Sequence, residues 1–254
     1  MKSEEILKKI KTQGVDIICL ESVDSTNEYL KALAKSGAKA KTVVISDSQT
    51  HGKGTKNRSF VSRRGGVYLS ILLKPEFNGF DATLITPMTA VAVSDAVNNI
   101  SGKSTQIKWV NDLYLGGKKV CGILCEAGFE SDAHTPFIVV GIGVNLFKPK
   151  GDFDTEIKEI ATAVFEEENP KIKEDFIANL IDTFFEYYDK IDQKTFLQKY
   201  KNANLVLGKE IEFLENLRLK TAKAVEIDDD CRLVVELPDK TLKTLSSGDV
   251  KIKL

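Results

Sequence analysis

Apolar and polar positions along this chain follow two textures that meet near residue 204. Before that point, short apolar runs alternate with stretches of helical period. Residues 1–14 predict a short charged helix with Ile6, Leu7 and Ile10 on one side. Asp16–Leu20 is a strand, and Asp24-Ser25-Thr26-Asn27 then opens a helix to about Lys35, with Ser25 and Glu28 spaced as a capping box. Thr42–Ser46 and the strongly apolar Val67–Leu73 are strands, separated by a polar, glycine-bearing loop over 47–64. Residues 81–100 predict a helix whose small residues (Thr86, Ala90, Ala92, Ala96) point to burial on several sides. Strands at 106–109 and 120–124 flank a hairpin signal at Gly116-Gly117. A further apolar strand spans 136–146, and helical patterns follow at 154–168, 174–188 and, shorter, near 194–201.

From Leu205 onward the period drops to two, with strands expected at 210–213, 219–227, 232–237, 241–246 and 250–254. The pattern is that of an α+β domain, 1–203, followed by a small β-barrel, 204–254. A length of 254 residues accommodates one large domain and a small one.

Composition narrows the function classes. With 36 basic against 37 acidic residues the net charge is −1, so nothing demands nucleic acid or a membrane surface as partner. Four cysteines form no CxxC pair, which argues against structural zinc and for buried thiols in a reducing compartment. No apolar run approaches the roughly 18 to 20 residues of a membrane span, and the charged start lacks a signal-peptide core. The cytoplasm is the expected location.

Several segments carry candidate chemistry, each with a structural alternative. The run from Lys108 to Leu124 places Trp109, Asn111, Asp112, Lys118 and Lys119 around a glycine turn, and ends in Gly122. Such a hairpin can project a cation beside bare backbone, which suits a flat anionic ligand. Asn111 and Asp112 could equally shape the turn, Lys119 could be a solvated strand residue, and Trp109 fits a packed core. In the loop Gln49 to Phe60, Gly52 and Gly54 could form an anion nest, with Lys53, Lys56 and Arg58 adding charge. The spacing is neither a Walker A loop nor a dinucleotide fingerprint, and a solvated surface loop is the alternative. Ser25 and Thr26 suit a helix cap or a polar ligand head group. Gly141-x-Gly143-x-Asn145 fits a bulge with a polar strand end. Neither GxSxG nor HExxH occurs.

Taken in order, Asp24-Ser25-Thr26-Asn27, Gln49-x-x-Gly52-Lys53-Gly54, Gly65-Gly66-Val67-Tyr68-Leu69-Ser70, Lys108-Trp109-x-Asn111-Asp112, Lys118-Lys119-x-x-Gly122-Ile123-Leu124 and Gly141-Ile142-Gly143-Val144-Asn145 closely resemble the biotin protein ligases. The likeness extends to Ala161-Thr162-Ala163-Val164, to Ala224-x-x-Ile227-Asp228 and to Ser247-Gly248-Asp249-Val250. The resemblance implies a central mixed sheet with flanking helices, of the class II synthetase-like kind, and a C-terminal SH3-like barrel. It implies that ATP and biotin are joined as biotinyl-5′-adenylate, with Mg²⁺ accompanying ATP and no dedicated metal cage. Biotin then passes to a lysine on the carrier domain of acetyl-CoA carboxylase. Ser25, Thr26, Gln49 and Gly122 match biotin-side positions, with Lys119 between the biotin carboxylate and the α-phosphate. Gly52, Lys53, Gly54, Thr55, Lys56, Arg58, Phe60, Asn111 and Asn145 match the nucleotide side. Lys119, Lys53 and Asp112 are the expected catalytic residues, Asp112 toward the acceptor amine.

Departures from the family pattern bear on efficiency. Thr55 stands where the family carries a cation that helps hold the adenylate, so readier release of that intermediate is expected. Lys53 lacks the planar fork of arginine, and Phe60 offers less stacking surface than tryptophan. The 23 residues before Asp24 are too few for the winged helix-turn-helix that many bacterial members carry, so no DNA-binding role is expected. The family allows a homodimer. The alternatives are a lipoate–protein ligase of the same fold, faintly echoed by Arg63-Arg64-Gly65-Gly66, and a non-catalytic binding module.

Overall fold

The computed structural model describes residues 2–75, 82–131, 134–215, 218–246, 248 and 250–253. Asp81, Ser247, Asp249 and Leu254, which belong to expected elements or motifs, lie outside the described residues.

Seven strands form the central sheet: β1 (Asp16–Leu20), β2 (Thr42–Ser46), β3 (Val67–Leu73), β4 (Gln106–Lys108), β5 (Asp112–Leu115), β6 (Lys118–Phe129) and β7 (Pro136–Val144). Their spatial order is β1-β2-β3-β7-β6-β5-β4. β1 and β2 run parallel and every other neighbouring pair is antiparallel, so the sheet is mixed. Both faces are covered around β2 and β3, which is why these strands read as unbroken apolar runs. Val43, Ile45, Leu69 and Ile71 join the large core with α3 (Ile85–Ser101) and α4 (Pro170–Tyr188). Val44 and Leu72 face the other way, against Leu30 and Ala34 of α2 (Thr26–Lys35). The short α1 (Ser3–Leu7) buries Ile6 in the large core, and α5 (Leu197–Ala203) buries Tyr200 there.

The second sheet is wholly antiparallel: β8 (Glu210–Glu215), β9 (Arg218–Ile227), β10 (Leu233–Glu236), β11 (Leu242–Leu245) and β12 (Val250–Ile252), in the order β11-β10-β9-β8-β12. Alternate residues Ile211 and Phe213, Ala222 and Ala224, and Leu233 and Val235 point into its core, the pattern of a small SH3-like unit.

The structure corrects several sequence expectations. Residues 154–168 form no helix: 155–160 are turns, and the rest is irregular apart from bridges at Ala161 and Phe165. One turn closes as Ile157 N–H and Lys158 N–H donate to Asp154 O, both at 2.9 Å. The chain then runs along the ends of β6 and β7, pairing Ala161 with Lys119 and Phe165 with Phe147. Those backbone partners outcompete a helical ladder. α3 begins at Ile85 behind a 3₁₀ turn, Ala82–Leu84. α4 begins four residues earlier than expected, at Pro170, because Asn169 caps it by accepting from Lys171 N at 3.0 Å and Ile172 N at 3.3 Å. The Gly116-Gly117 turn joins β5 to β6, so Asp112 opens a strand and is not part of the turn.

Candidate active site

Cross-strand register builds the floor of a cavity of about 270 Å³. Tyr68 of β3 lies opposite Gly143 of β7, Gly143 opposite Gly122 of β6, and Gly122 opposite Asp112 of β5. One row across four strands therefore carries an aromatic ring, two bare backbones and a carboxylate. The next row holds Ser70, Gly141 and Leu124.

A β-bulge brings Lys119 onto this face. The β5–β6 pairing steps from Leu113↔Cys121 to Tyr114↔Lys119, leaving Val120 as the extra residue. Val120 and Cys121, although consecutive, both belong to the large core. The bulge thus puts Lys119 on the same side as Gly122, where strict alternation would have sent it away. Lys119 Nζ donates to Asp112 Oδ1 at 2.6 Å and sits 5.9 Å from the centroid of the Phe60 ring.

At the other end stands the start of α2. Ser25 Oγ accepts from Glu28 N at 3.5 Å. The reciprocal half of the capping box is missing, because the Glu28 carboxylate is taken by Lys31, at 2.7 Å, and by Lys53. Those two cations, Lys31 first, hold the Glu28 carboxyl below its ordinary range. Gln49 bridges the helix start to the loop: its Oε1 accepts from Thr26 N at 2.8 Å and Thr26 Oγ1 at 3.1 Å, and its Nε2 donates to Ser62 Oγ at 2.8 Å. Asn27 Nδ2 donates to Leu124 O at 3.2 Å and Glu126 Oε2 at 2.8 Å, while Ser70 Oγ lies 2.6 Å from Asn27 Oδ1. The buried polar groups of this end are satisfied through one another and through the strands beneath.

The loop between folds on itself, with Lys53 bridged to Ser59 and a 3₁₀ turn over Thr55–Asn57. Of the two glycines expected to form an anion nest, Gly54 has its N–H engaged within the loop. The Gly54 N–H is donated to Arg58 O at 2.7 Å, and Gly52 O accepts from Phe60 N at 2.8 Å. Gly52 is required for close approach, since a Cβ there would collide with Phe60 O and Ser62 Oγ. Arg58 reaches Thr55, with Nη2 at 3.0 Å from Oγ1. The Phe60 ring lies over the floor, so a Cβ on Gly143 would stand 2.6 Å from it and one on Gly122 3.1 Å.

Each sequence-predicted residue lines or borders this cavity. Ser25, Thr26, Gln49, Lys53, Gly54, Thr55, Arg58, Phe60, Asn111, Asp112, Lys119, Gly122 and Asn145 line it directly. Gly52 and Lys56 face the adjoining hollow behind the loop. Asn111 and Asn145 also fix backbone: Asn111 Nδ2 donates to Ile123 O at 2.9 Å, and Asn145 Nδ2 to Thr162 O at 3.1 Å. Trp109 is a core residue, 2% exposed. Sequence reasoning missed Ile157 and Ile160, which form an apolar rim beside Lys119. The segment carrying them pairs with Lys119, whose N–H donates to Ile160 O at 2.8 Å. Their helical spacing concealed this. Among the described residues, no group of three or more His, Cys, Asp or Glu could hold a metal, and Asp112 is the one carboxylate lining the cavity.

Comparison with known proteins agrees with this geometry. Residues 19–145 match the biotin/lipoate A/B protein ligase family, and residues 206–252 match the biotin protein ligase C-terminal domain. The bifunctional ligase/repressor BirA of Bacillus subtilis (strain 168) is 31% identical over 99% of this chain and 79% of its own length. The biotin–acetyl-CoA-carboxylase ligase of Paracoccus denitrificans is 34% identical over 50% of this chain and 53% of its own. Among solved structures, the biotin protein ligase from Aquifex aeolicus in complex with biotin and ATP superposes with a TM-score of 0.77 at 28% identity, covering 94% of this chain and 98% of that one. A row of bare glycines ending in a lysine–carboxylate pair, the helix cap facing it and both matched regions place this chain in the biotin/lipoate A/B protein ligase family, among its biotin protein ligases.

Proposed function

We propose that this chain condenses biotin and ATP to biotinyl-5′-adenylate and then transfers biotin to a lysine of a carrier domain, that of acetyl-CoA carboxylase. The observation that carries the reading is the Lys119–Asp112 pair, 2.6 Å apart, at one end of a flat glycine floor whose other end is the Ser25/Thr26/Gln49 cap. In the first step a carboxylate oxygen attacks the α-phosphorus, a P–O bond forms, and pyrophosphate departs with the electrons of the bond that breaks. Two anions must approach, so a fixed cation between them lowers the barrier. Lys119 is that cation, and the ligand lies against the sheet at Gly122 and Gly143 once the Phe60 ring, packed there in this structure, swings aside. Ser25, Thr26 and Gln49 hold the far end of biotin. Asn111, Asn145, Phe60, Thr55 and Arg58 border the nucleotide, with Gly52, Gly54 and Lys56 shaping the loop beside it. Lys53, paired with Glu28 in this structure, turns to the phosphates when ATP arrives.

In the second step the acceptor amine attacks the acyl carbon, AMP leaves, and the amine proton passes to Asp112. An Asp112→Asn enzyme should keep pyrophosphate exchange while transfer to the carrier falls; transfer at the wild-type rate would refute the role. We likewise divide the chain at 203/204 into this catalytic unit and the C-terminal one.

A further inference from the structure

The C-terminal unit is tied to the segment that leads to the reaction centre at Trp109 and Ile107 of the catalytic unit. Trp109 Nε1 donates to Cys231 O at 2.9 Å, a bond between residues 2% and 4% exposed. The next residue is held as well: Tyr200 Oη donates to Val110 O at 3.1 Å, from the helix that leads into the C-terminal sheet. Two residues before Trp109, Ile107 O accepts from Leu205 N at 2.8 Å. After these anchors come Asn111 and Asp112. Asn111 clips β6 through Ile123 N–H to Asn111 O, 3.1 Å, and Asp112 fixes the Lys119 ammonium.

The accepting turn, 228–232, is itself immobilised. Asp228 Oδ1 accepts from Asp230 N at 3.0 Å and Arg232 N at 2.8 Å. Lys194 Nζ donates to Asp229 O at 2.8 Å and Asp230 Oδ1 at 2.9 Å, and Lys201 Nζ to Asp229 Oδ1 at 2.8 Å. A solvent turn between two strands needs none of these ties to the other unit. Their effect is to present one carbonyl, that of Cys231, at a fixed point for the indole.

We infer that Trp109 is a positioning residue: its indole N–H, seated on the Cys231 carbonyl, sets the place of the Asn111-Asp112 segment and so of Lys119, which makes the C-terminal sheet part of the adenylation machinery. This rests on the adenylation reading above. Ser25, Thr26 and Gln49 are on the opposite side of the cavity and do not touch this Trp109–Cys231 strut, so turnover falls further than biotin affinity.

Trp109→Phe removes the donor and keeps most of the ring. Tyr200→Phe removes the hydrogen bond that α5, within the catalytic unit, makes to Val110 O, and so tests the placing of the Asn111-Asp112 segment independently of the C-terminal sheet if the first variant does not fold. In biotin-dependent ATP–pyrophosphate exchange, each variant should lose about three- to tenfold in kcat, the effect of one buried hydrogen bond, with a smaller change in the biotin KM. Amide hydrogen exchange should show the Ile123 N–H, bonded to Asn111 O, losing protection while β1–β3 keep theirs. Wild-type kcat with unchanged Ile123 protection overturns the inference. So does a loss of kcat accompanied by a comparably raised KM and reduced protection throughout both sheets, which is general loosening. A wild-type chain inert toward biotin would defeat the ligase reading instead, and the Ile123 amide would still judge the strut.

Discussion

Replacing Lys119 by glutamine isolates the charge on which the proposed first step depends. The ammonium lies 2.6 Å from Asp112 Oδ1 and 5.9 Å from the Phe60 ring centroid, in a cavity floored by glycine. A unit charge about 4 Å from a phosphate oxygen contributes about 4 kcal/mol at an effective dielectric constant of about 20. The glutamine amide recovers about 1 kcal/mol as a neutral donor. The net loss of about 3 kcal/mol corresponds to roughly a hundredfold in rate, in line with deleting one preorganised donor elsewhere. Glutamine cannot pair with Asp112 as an ion, but that carboxylate borders an open cavity, so the change should cost little stability. The assay is exchange of labelled pyrophosphate into ATP at saturating biotin, with thermal unfolding of both proteins alongside. A Lys119→Gln enzyme within threefold of wild type would refute the assignment of Lys119 to the carboxylate–phosphate junction.

Three further outcomes follow from the same geometry. A Cβ on Gly141 would collide with the Asn27 amide, so Gly141→Ala should lower stability by about 1 to 3 kcal/mol in urea unfolding; wild-type stability would show that the Asn27 network gives way freely. The Glu28 carboxyl titrates below its unfolded value because of Lys31 and Lys53, so its contribution is present above the ordinary glutamate range and is lost as pH falls through the depressed value; the Tm of wild type should drop more steeply than that of Glu28→Gln below about pH 4.5, and parallel curves would contradict a stabilising role for this pairing with Lys31 and Lys53. Thr55→Arg should reduce release of free biotinyl-adenylate in single-turnover reactions, and equal release would refute the expectation drawn from that position.

Much of the central sheet was legible because burial on both faces leaves little choice of residue. Val43, Val44 and Ile45 are all fully buried, and such a run reads as a strand whichever neighbour it has. The two-residue period from Leu205 onward was equally direct. What the sequence concealed depends on partners far along the chain. Ile157, Ile160 and Val164 have helical spacing, yet their segment pairs with Lys119 and Phe147. The face on which Lys119 emerges depends on a bulge at Val120, which no local preference marks. Gly52 and Gly54 suggested a nest, but close packing against Phe60 and Ser62 is what requires Gly52. The tie from Trp109 to Cys231 spans 122 positions and involves a backbone carbonyl, which leaves no trace in residue identity.

On the proposed reading the cavity joins biotin to ATP. The most direct measurement is ATP–pyrophosphate exchange by the purified chain with biotin, with lipoate, and with neither. Exchange that requires biotin and is not supported by lipoate is the result predicted; exchange with lipoate alone, or with neither acid, would contradict the account.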